Sequence, residues 1–549
     1  MDTKDIALLP YDAVAMNEEI ENLKFFSLQI LIIVGEGSLA TGLTADLSWS
    51  LWENIIIIQG STMTESTYKR MTPFLRQLLA VSGVVMYMIG SGENIAFPGV
   101  LLMQLREPGS EVKLTPDHES WIASILGLAL VAGIMVAPFS LQNLGRKMTN
   151  QLSSLPTLAG WGLLAASNGP TALMVSRSLV GFGMGIHAAA SSVSIAEYSA
   201  PKHRGAFLAT IAFSFATGML TTHVFGTFLP WRTAGLACGS VYIISLILVT
   251  LVPETPPYLA SRGRVEECKK SFYWFRGHDP ISEKELNILL HSQRKPAVIP
   301  IRGSRWQTYR QTVRKPEFYK PTLIMMFMFV LFQISGMTVI PSYTVPIMRE
   351  VTGGAFDSYV SMLAVDVVRF VTAVISCFII NKLPRRTVLF TSISITVVSL
   401  LSTAILLYIR NFGYLPDEYK WTPIVPFTVY IIGKTLGILS IPWAIAGEVF
   451  PLKYRSIGGG ISGMFLSIML FVVVKTAPYL FEWIGYNGTF CVYAVCVAIC
   501  GMFLFYLLPE TKGKTLHDIE CHFKGIKSES GHALPEGQKM LDLKNVESR

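Results

Sequence analysis

Charged side chains are scarce in this chain. They make up 15% of 549 residues, against 51% hydrophobic. A soluble chain of this length forms several domains with polar surfaces, and so little charge cannot cover them. Cysteine is also sparse. Five of the seven, Cys238, Cys377, Cys491, Cys496 and Cys500, fall inside apolar runs, where cysteine acts as a small hydrophobe. That placement excludes a disulfide framework, and no cysteine pairs with histidine at a metal-ligand spacing. The sequence offers no nucleophile beside a base, no phosphate-cradling glycine loop and no metal cluster. An enzyme is therefore not expected, and neither is a cofactor. The apolar stretch 25–35 is short and lacks a small-residue cleavage site, so it is not read as a signal peptide.

What the chain does have is apolar runs of about 20 residues, each long enough to cross a hydrocarbon core of about 30 Å. About twelve are expected, in two sets of six. The first set is 78–104, 120–141, 150–168, 171–195, 205–229 and 234–252; the second is 320–345, 357–381, 387–410, 422–446, 457–480 and 487–508. Basic residues gather in the segment 253–319 and at the turns holding Arg146, Lys147, Arg385 and Arg386. By the positive-inside rule these face the cytoplasm, and an even number of spans puts both termini there. The net charge of +8 then reflects topology rather than a nucleic-acid partner. Asn487-Gly488-Thr489 matches a glycosylation acceptor on the other side.

The polar punctuation is duplicated. The first half carries Gly145-Arg146-Lys147, Glu197 with Arg204, and Pro253-Glu254-Thr255-Pro256. The second carries Pro384-Arg385-Arg386, Glu448 with Arg455, and Pro509-Glu510-Thr511-Lys512. The offset stays within roughly 240 to 256 residues. A duplicated polytopic chain with its site between the halves is the plan of a secondary transporter. The expected fold class is an all-α membrane protein, with twelve transmembrane helices as two six-helix bundles. Its expected divisions are an extension 1–72, a bundle 73–252, a linker with short helices 253–319, a bundle 320–508 and a tail 509–549. Residues 1–62 read as an alternative or mispredicted start, because Met63 opens an ordinary cytoplasmic beginning (MTESTYKR). A disordered or interfacial extension is the other reading.

From about residue 73 to 522 the chain resembles the sugar porters of the major facilitator superfamily, and among them the insect facilitated trehalose transporters. The likeness rests on LTPDHESWI at 114–122, PETPPYLASRG at 253–263, QISG at 333–336, YTV at 343–345, Pro442-Trp443, VVVKT at 472–476 and PETKGKTLHDIE at 509–520. The resemblance implies two rocking bundles that expose one site to each side in turn. Its partners would be a small solute, a sugar by that likeness, and the bilayer.

The loop charges suit such a switch. Glu197 with Arg204, and Glu448 with Arg455, flank matching turns; Arg146, Lys147, Arg385, Arg386, Glu254 and Glu510 complete the set. Pairing across the bundles would hold the cytoplasmic side shut, at about 0–1 kcal/mol for each exposed pair. The plain alternative is that these groups only anchor the topology. Two departures from the family predict a weakened latch: Gln142 and Asn143 ahead of the first turn, and Asn381 and Pro384 in the second.

The resemblance assigns substrate contacts to Gln333, Thr338, Tyr343 and Trp443. It also exposes losses: Phe332, Ala212, Leu466 and Ser467 stand where the family has amides or tryptophan. Arg369 falls deep in the eighth span, one turn after Asp366, on the same face. An arginine there costs at least about 2.5–3.5 kcal/mol unless paired or hydrated. It forms a self-neutral pair with Asp366, reads an anionic solute, acts as a gate, or links to Glu93. Glu93 and Arg177 fall in the first and fourth spans, as a coupling or structural ion pair. His187 and His223 are read as packing or hydrogen-bonding residues. The leading function is facilitated sugar transport. The alternatives are an organic-anion carrier using Arg369, a proton-coupled sugar symporter, and a nutrient sensor that does not transport.

Overall fold

A computed structural model of the chain describes residues 71–110, 112–294, 314–451, 454–512, 519 and 523. The reading of residues 1–62 lies outside the described residues. Apolar composition and length dictate the architecture. With no water in the bilayer, backbone N–H and C=O groups must be paired within each span. In the first half the helices are α1 (Pro73–Leu105), α2 (Pro116–Asn143), α3 (Gly145–Ala166), α4 (Pro170–Tyr198), α5 (Pro201–Phe228) and α6 (Trp231–Thr250). Three short helices follow, α7 (Pro256–Ser261), α8 (Val265–Arg276) and α9 (Pro280–Arg294). The second half contains α10 (Pro316–Ile334), α11 (Val339–Ser342), α12 (Thr344–Thr352), α13 (Ser358–Lys382) and α14 (Arg385–Asn411). It ends with α15 (Ile424–Leu436), α16 (Ile441–Glu448), α17 (Arg455–Trp483) and α18 (Gly485–Leu507).

Among the described residues, eleven segments are long and apolar enough to cross a membrane. The third span, α3, falls short because its buried face is polar: Thr149, Asn150, Gln151, Ser153, Ser154 and Thr157. Thr149, Ser153 and Ser154 turn to carbonyls of their own helix, and the other three reach neighbouring helices. Asn150 donates to Ser194 Oγ at 3.0 Å, Gln151 to Thr250 Oγ1 at 2.9 Å, and Thr157 pairs with Tyr87 Oη at 2.7 Å. The seventh and tenth spans are broken, the seventh between α10 and α11, the tenth between α15 and α16. Side chains repair the breaks. Tyr430 Oη donates to Ser335 O at 2.5 Å, and Ser392 donates to Gly433 O while accepting from Ile438 N.

The halves meet along two seams. On one seam α2 packs against α17; on the other α5 packs against α13. A third junction brings α1 to α11. There a Cβ on Gly99 would lie 2.5 Å from Pro341 O, so only glycine lets the two backbones approach. The glycosylation motif is not presented. It sits in the first turns of α18, with Thr489 fully buried and bonded to Gly485 O.

Candidate functional site

Two levels of the molecule carry the candidate residues: the loops of the basic face and the centre between the halves. At the basic face the duplicated motifs build the same device twice. Glu254 accepts the backbone N–H groups of Arg146 at 3.1 Å and Lys147 at 3.0 Å, at the start of α3. A carboxylate suits a helix N-terminus, whose first N–H groups have no partner inside the helix. Gly145 enters that helix at φ +89°, and a Cβ there would collide with Glu254 and Tyr258. Arg146 then reaches Glu197 Oε1 at 2.8 Å, and Lys147 reaches Thr250 O at 3.0 Å.

The second half repeats this. Glu510 accepts from Arg385 N at 3.1 Å and Arg386 N at 3.0 Å; Arg385 reaches Glu448 Oε1 at 3.1 Å; Arg386 reaches Phe505 O at 2.9 Å. Pro384 leaves the device intact, because it enters α14 at φ −59° and needs no left-handed backbone. Glu197 is taken by Arg146 of its own half, and Arg204 is exposed. The Arg455 side chain lies outside the described residues. Burial pushes the Glu254 carboxyl up to about 7, against the backbone donors that lower it. Burial also acts upward on Glu510, but the N–H groups of Lys512, Arg386, Arg385 and Thr511 outweigh it and hold that carboxyl below its usual range.

Bonds between the halves gather toward the opposite face. Lys475 of α17 pairs with Asp117 of α2 at 2.9 Å, and Tyr479 Oη donates to the same carboxylate at 3.0 Å. Ser342 donates to Ile95 O at 3.0 Å. His223 of α5 meets Asp366 of α13 through Nδ1, and its Nε2 lies 3.3 Å from Pro341 O. Asp366 also takes Arg369, so the expected Asp366–Arg369 pair is present with a third member.

At the centre, Gln333 and Thr338 satisfy each other at 2.8 Å. Tyr343 is buried and donates to Val474 O at 3.3 Å. Trp443 packs on Phe332, ring centroids 6.2 Å apart. Ala212, Phe332, Met337, Leu439 and Leu466 close into one apolar cluster, so three of the amide losses are neighbours in space. Arg369 and Trp443 belong to separate groups: Arg369 contacts Asp366 and Met219.

Glu93 and Arg177 are not brought together. Glu93 accepts from Thr221 at 3.1 Å, whereas Arg177 donates to Asn94 O at 2.7 Å. Arg177 borders a cavity of about 10 Å³ with Ile95, Thr338 and Ser342, room for roughly one water.

The comparisons decide the family. The family described as "Sugar (and other) transporter" matches residues 79–523. The chain belongs to it. That makes the protein an integral membrane transporter rather than an enzyme. Facilitated trehalose transporter Tret1 of Apis mellifera ligustica is 30% identical over 82% of this chain and 89% of its own. Tret1 of Drosophila virilis is also 30% identical over 82% of this chain, but over 49% of its own length. The Aedes aegypti protein of that name is 28% identical, with 55% of its length spanned. The chain thus spans about half of some curated relatives. Two structures of the xylose transporter XylE share the fold. The proton:xylose symporter bound to 6-bromo-6-deoxy-D-glucose superposes at a TM-score of 0.65, 16% identical, over 83% of this chain and 99% of that one. The inward open conformation from E. coli gives 0.65 at 15% identity, over 82% and 100%.

Within this sugar transporter fold, three groups escaped the sequence reading. Lys434 is fully buried; its Nζ donates to Gly336 O and Tyr430 Oη, both at 3.1 Å. It serves the C-terminal end of the broken α10, where a cation is favoured. Lys475 stood in a quoted motif without a role. His223, read as a packing or hydrogen-bonding residue, does hydrogen-bond, and its partner Asp366 across the halves is what the sequence did not name. His187 does pack, stacked on Tyr87 at 3.7 Å.

Proposed function

We propose that this protein carries a sugar of the trehalose or glucose kind across the plasma membrane, by facilitated diffusion through alternating access. The observation that carries the reading is the asymmetry between its two faces. Toward the face opposite the basic loops, Lys475–Asp117, Ser342–Ile95 and His223–Asp366 tie one half to the other. At the basic face, Arg146–Glu197 and Arg385–Glu448 stay within their own halves. Matched charges free of the opposite half are what an open gate requires. With the basic face cytoplasmic, and both termini on that side, this is the inward-facing state. The bodies that rock are residues 73–252 and 320–508, with 253–319 as their linker. In the other state, Arg146, Lys147, Glu197, Arg204 and their counterparts in the second half regroup across the gap.

Facilitated diffusion is supported at Arg177. Its neighbour on α1 is the Asn94 carbonyl, not a carboxylate, so a proton exchanged there has no acid to carry it. The sugar itself comes from the relatives' names. Gln333, Thr338, Tyr343 and Trp443 are the proposed contacts. The test is uptake of labelled trehalose and glucose into oocytes expressing the full chain. Saturable uptake without a solute-induced proton current is expected. No uptake despite surface expression would sink the sugar reading.

A second reading, an anionic solute, has one observation in its favour. Arg369 Nη2 is buried without a partner, and Lys434 adds a second cation whose field reaches Arg369. Arg369→Gln separates the two. Improved uptake of a neutral sugar would argue against anion recognition.

A further inference from the structure

We propose that His223 is a proton-binding gate residue: it joins the two halves as an imidazolium and gives up its proton when the face opposite the basic loops opens. The inference rests on alternating access, but not on the identity of the solute.

Hydrogen-bond geometry sets the protonation state. His223 Nδ1 meets Asp366 Oδ2, and Nε2 lies 3.3 Å from Pro341 O. Both partners are acceptors. A peptide carbonyl has no proton to offer, and Asp366 is held as a carboxylate by Arg369 on its other oxygen. A neutral imidazole carries one N–H and satisfies one of the two contacts; the imidazolium carries two and satisfies both. The ring is fully buried, so an unmatched acceptor has no water to turn to. The imidazolium therefore clamps α5 of the first half to α13 and α11 of the second.

Among the described residues, one carboxylate touches the ring and two cations stand beside that carboxylate. From α13 come Asp366 and Arg369. From α15 come Lys434, whose field reaches both of them, and Tyr430, which lies in the field of Arg369. From α1 comes Gly99, whose missing side chain leaves room for the ring and for Pro341 O. Glu93, on the same helix, is occupied by Thr221. On α4 and α6, Arg177 turns to Asn94, His187 stacks on Tyr87, Cys238 meets Thr222 and Tyr242 takes Asn94. Asp366 is thus the carboxylate that answers the ring.

Opening that face must part α5 from α13 and α11, which breaks both contacts at once. The ring then stands in water, where a histidine sheds its proton between about pH 5 and 8. The proton leaves Nδ1 or Nε2 for the solution on that side, and closing takes it back. Nothing crosses the membrane, so the device tunes the gate by pH without driving transport.

Ser342 tests this, because its hydroxyl is buried against Ile95 O only while the gate is closed. Ser342→Cys would be placed in the full chain in nanodiscs. Its reaction with a charged methanethiosulfonate would be read at residue 342 by mass spectrometry, from pH 5.5 to 8.5. The same measurement in the H223N background supplies the intrinsic pH slope of the thiol. With His223 present, the rate should climb more steeply than in H223N, by up to about tenfold per pH unit above about pH 6.5. Equal slopes would overturn the proposal. A residue 342 that never reacts would overturn it too, since the gate then does not open. Should H223N not fold, H223Q serves as the background. Sugar uptake plays no part in the readout, so failure here is distinct from failure of the sugar reading.

Discussion

Lys475 Nζ lies 2.9 Å from Asp117 Oδ1, on helices 358 residues apart in the chain. The same ammonium sits 4.5 Å from the centre of the Trp121 ring, and Tyr479 donates to the same carboxylate. This cluster is half in solvent, with the Asp117 side chain 63% exposed. Exposed pairs are weak and screened by salt, so it biases the gate rather than locking it. Asp117→Asn should raise the reactivity of a cysteine introduced at Ser342 a few-fold at low salt. The difference should shrink at high salt. A reactivity unchanged at both salt levels would remove this pair from the gate.

Glu254 and Glu510 hold the same place in the two halves and respond oppositely to pH. Glu254 is raised from 4.5 to about 7. The folded protein therefore holds a proton that the unfolded chain has released. That contribution is complete below about pH 4.5, fades as pH rises and is gone above about 7. A shift of this size corresponds to roughly 3 kcal/mol. Glu510 is lowered, so its contribution is present at neutral pH and lost as the solution turns acid. Melting temperature measured from pH 4 to 8 should fall toward neutral pH more steeply in the parent than in Glu254→Gln. Glu510→Gln should lower the melting temperature at neutral pH and flatten its fall toward pH 4. Parallel profiles for the parent and Glu254→Gln would refute the assignment.

The spans were legible because apolar length is written along the chain, and the duplicated motifs marked the helix ends they now occupy. Side-chain partners were less legible. The Glu-x6-Arg spacing placed Glu197 and Arg204 beside one turn, but did not show that Arg146, at the start of α3, takes Glu197. His223 looked solitary because its partner Asp366 is 143 residues away. Lys434 looked like a stray cation, since nothing in a hydropathy pattern announces that α10 stops at Ile334 and leaves carbonyls to be met. The amide losses at Ala212, Phe332 and Leu466 were visible one by one. Their closure into one cluster was not.

Lys434 has a structural job that a substitution can measure. Removing the ammonium leaves Asp366 with Arg369 and His223, so that carboxylate stays paired. The loss falls on Gly336 O, a buried acceptor left without this donor, at about 1–3 kcal/mol. Lys434→Met, close in length and apolar, should lower the melting temperature by several degrees. A melting temperature equal to the parent's would mean that desolvating the ammonium already cancels what its bonds contribute.

If the centre holds the proposed sugar, Phe332 limits the grip. It is 9% exposed, packs on Trp443, and shares its cluster with Ala212 of the opposite half. Beside it, Gln333 is occupied by Thr338, so the polar groups left here are already turned inward. An amide at position 332 restores a donor and an acceptor next to the Trp443 face. One net hydrogen bond is worth about 0.5–1.5 kcal/mol, a factor of roughly 2 to 12 in affinity. Phe332→Gln should therefore lower the KM for a neutral sugar by a factor in that range, with kcat changed little. Phe332→Leu, which keeps the patch apolar, should not lower it. If both variants leave KM where it was, the solute passes elsewhere, and the apolar cluster is packing between the halves rather than a wall of the path.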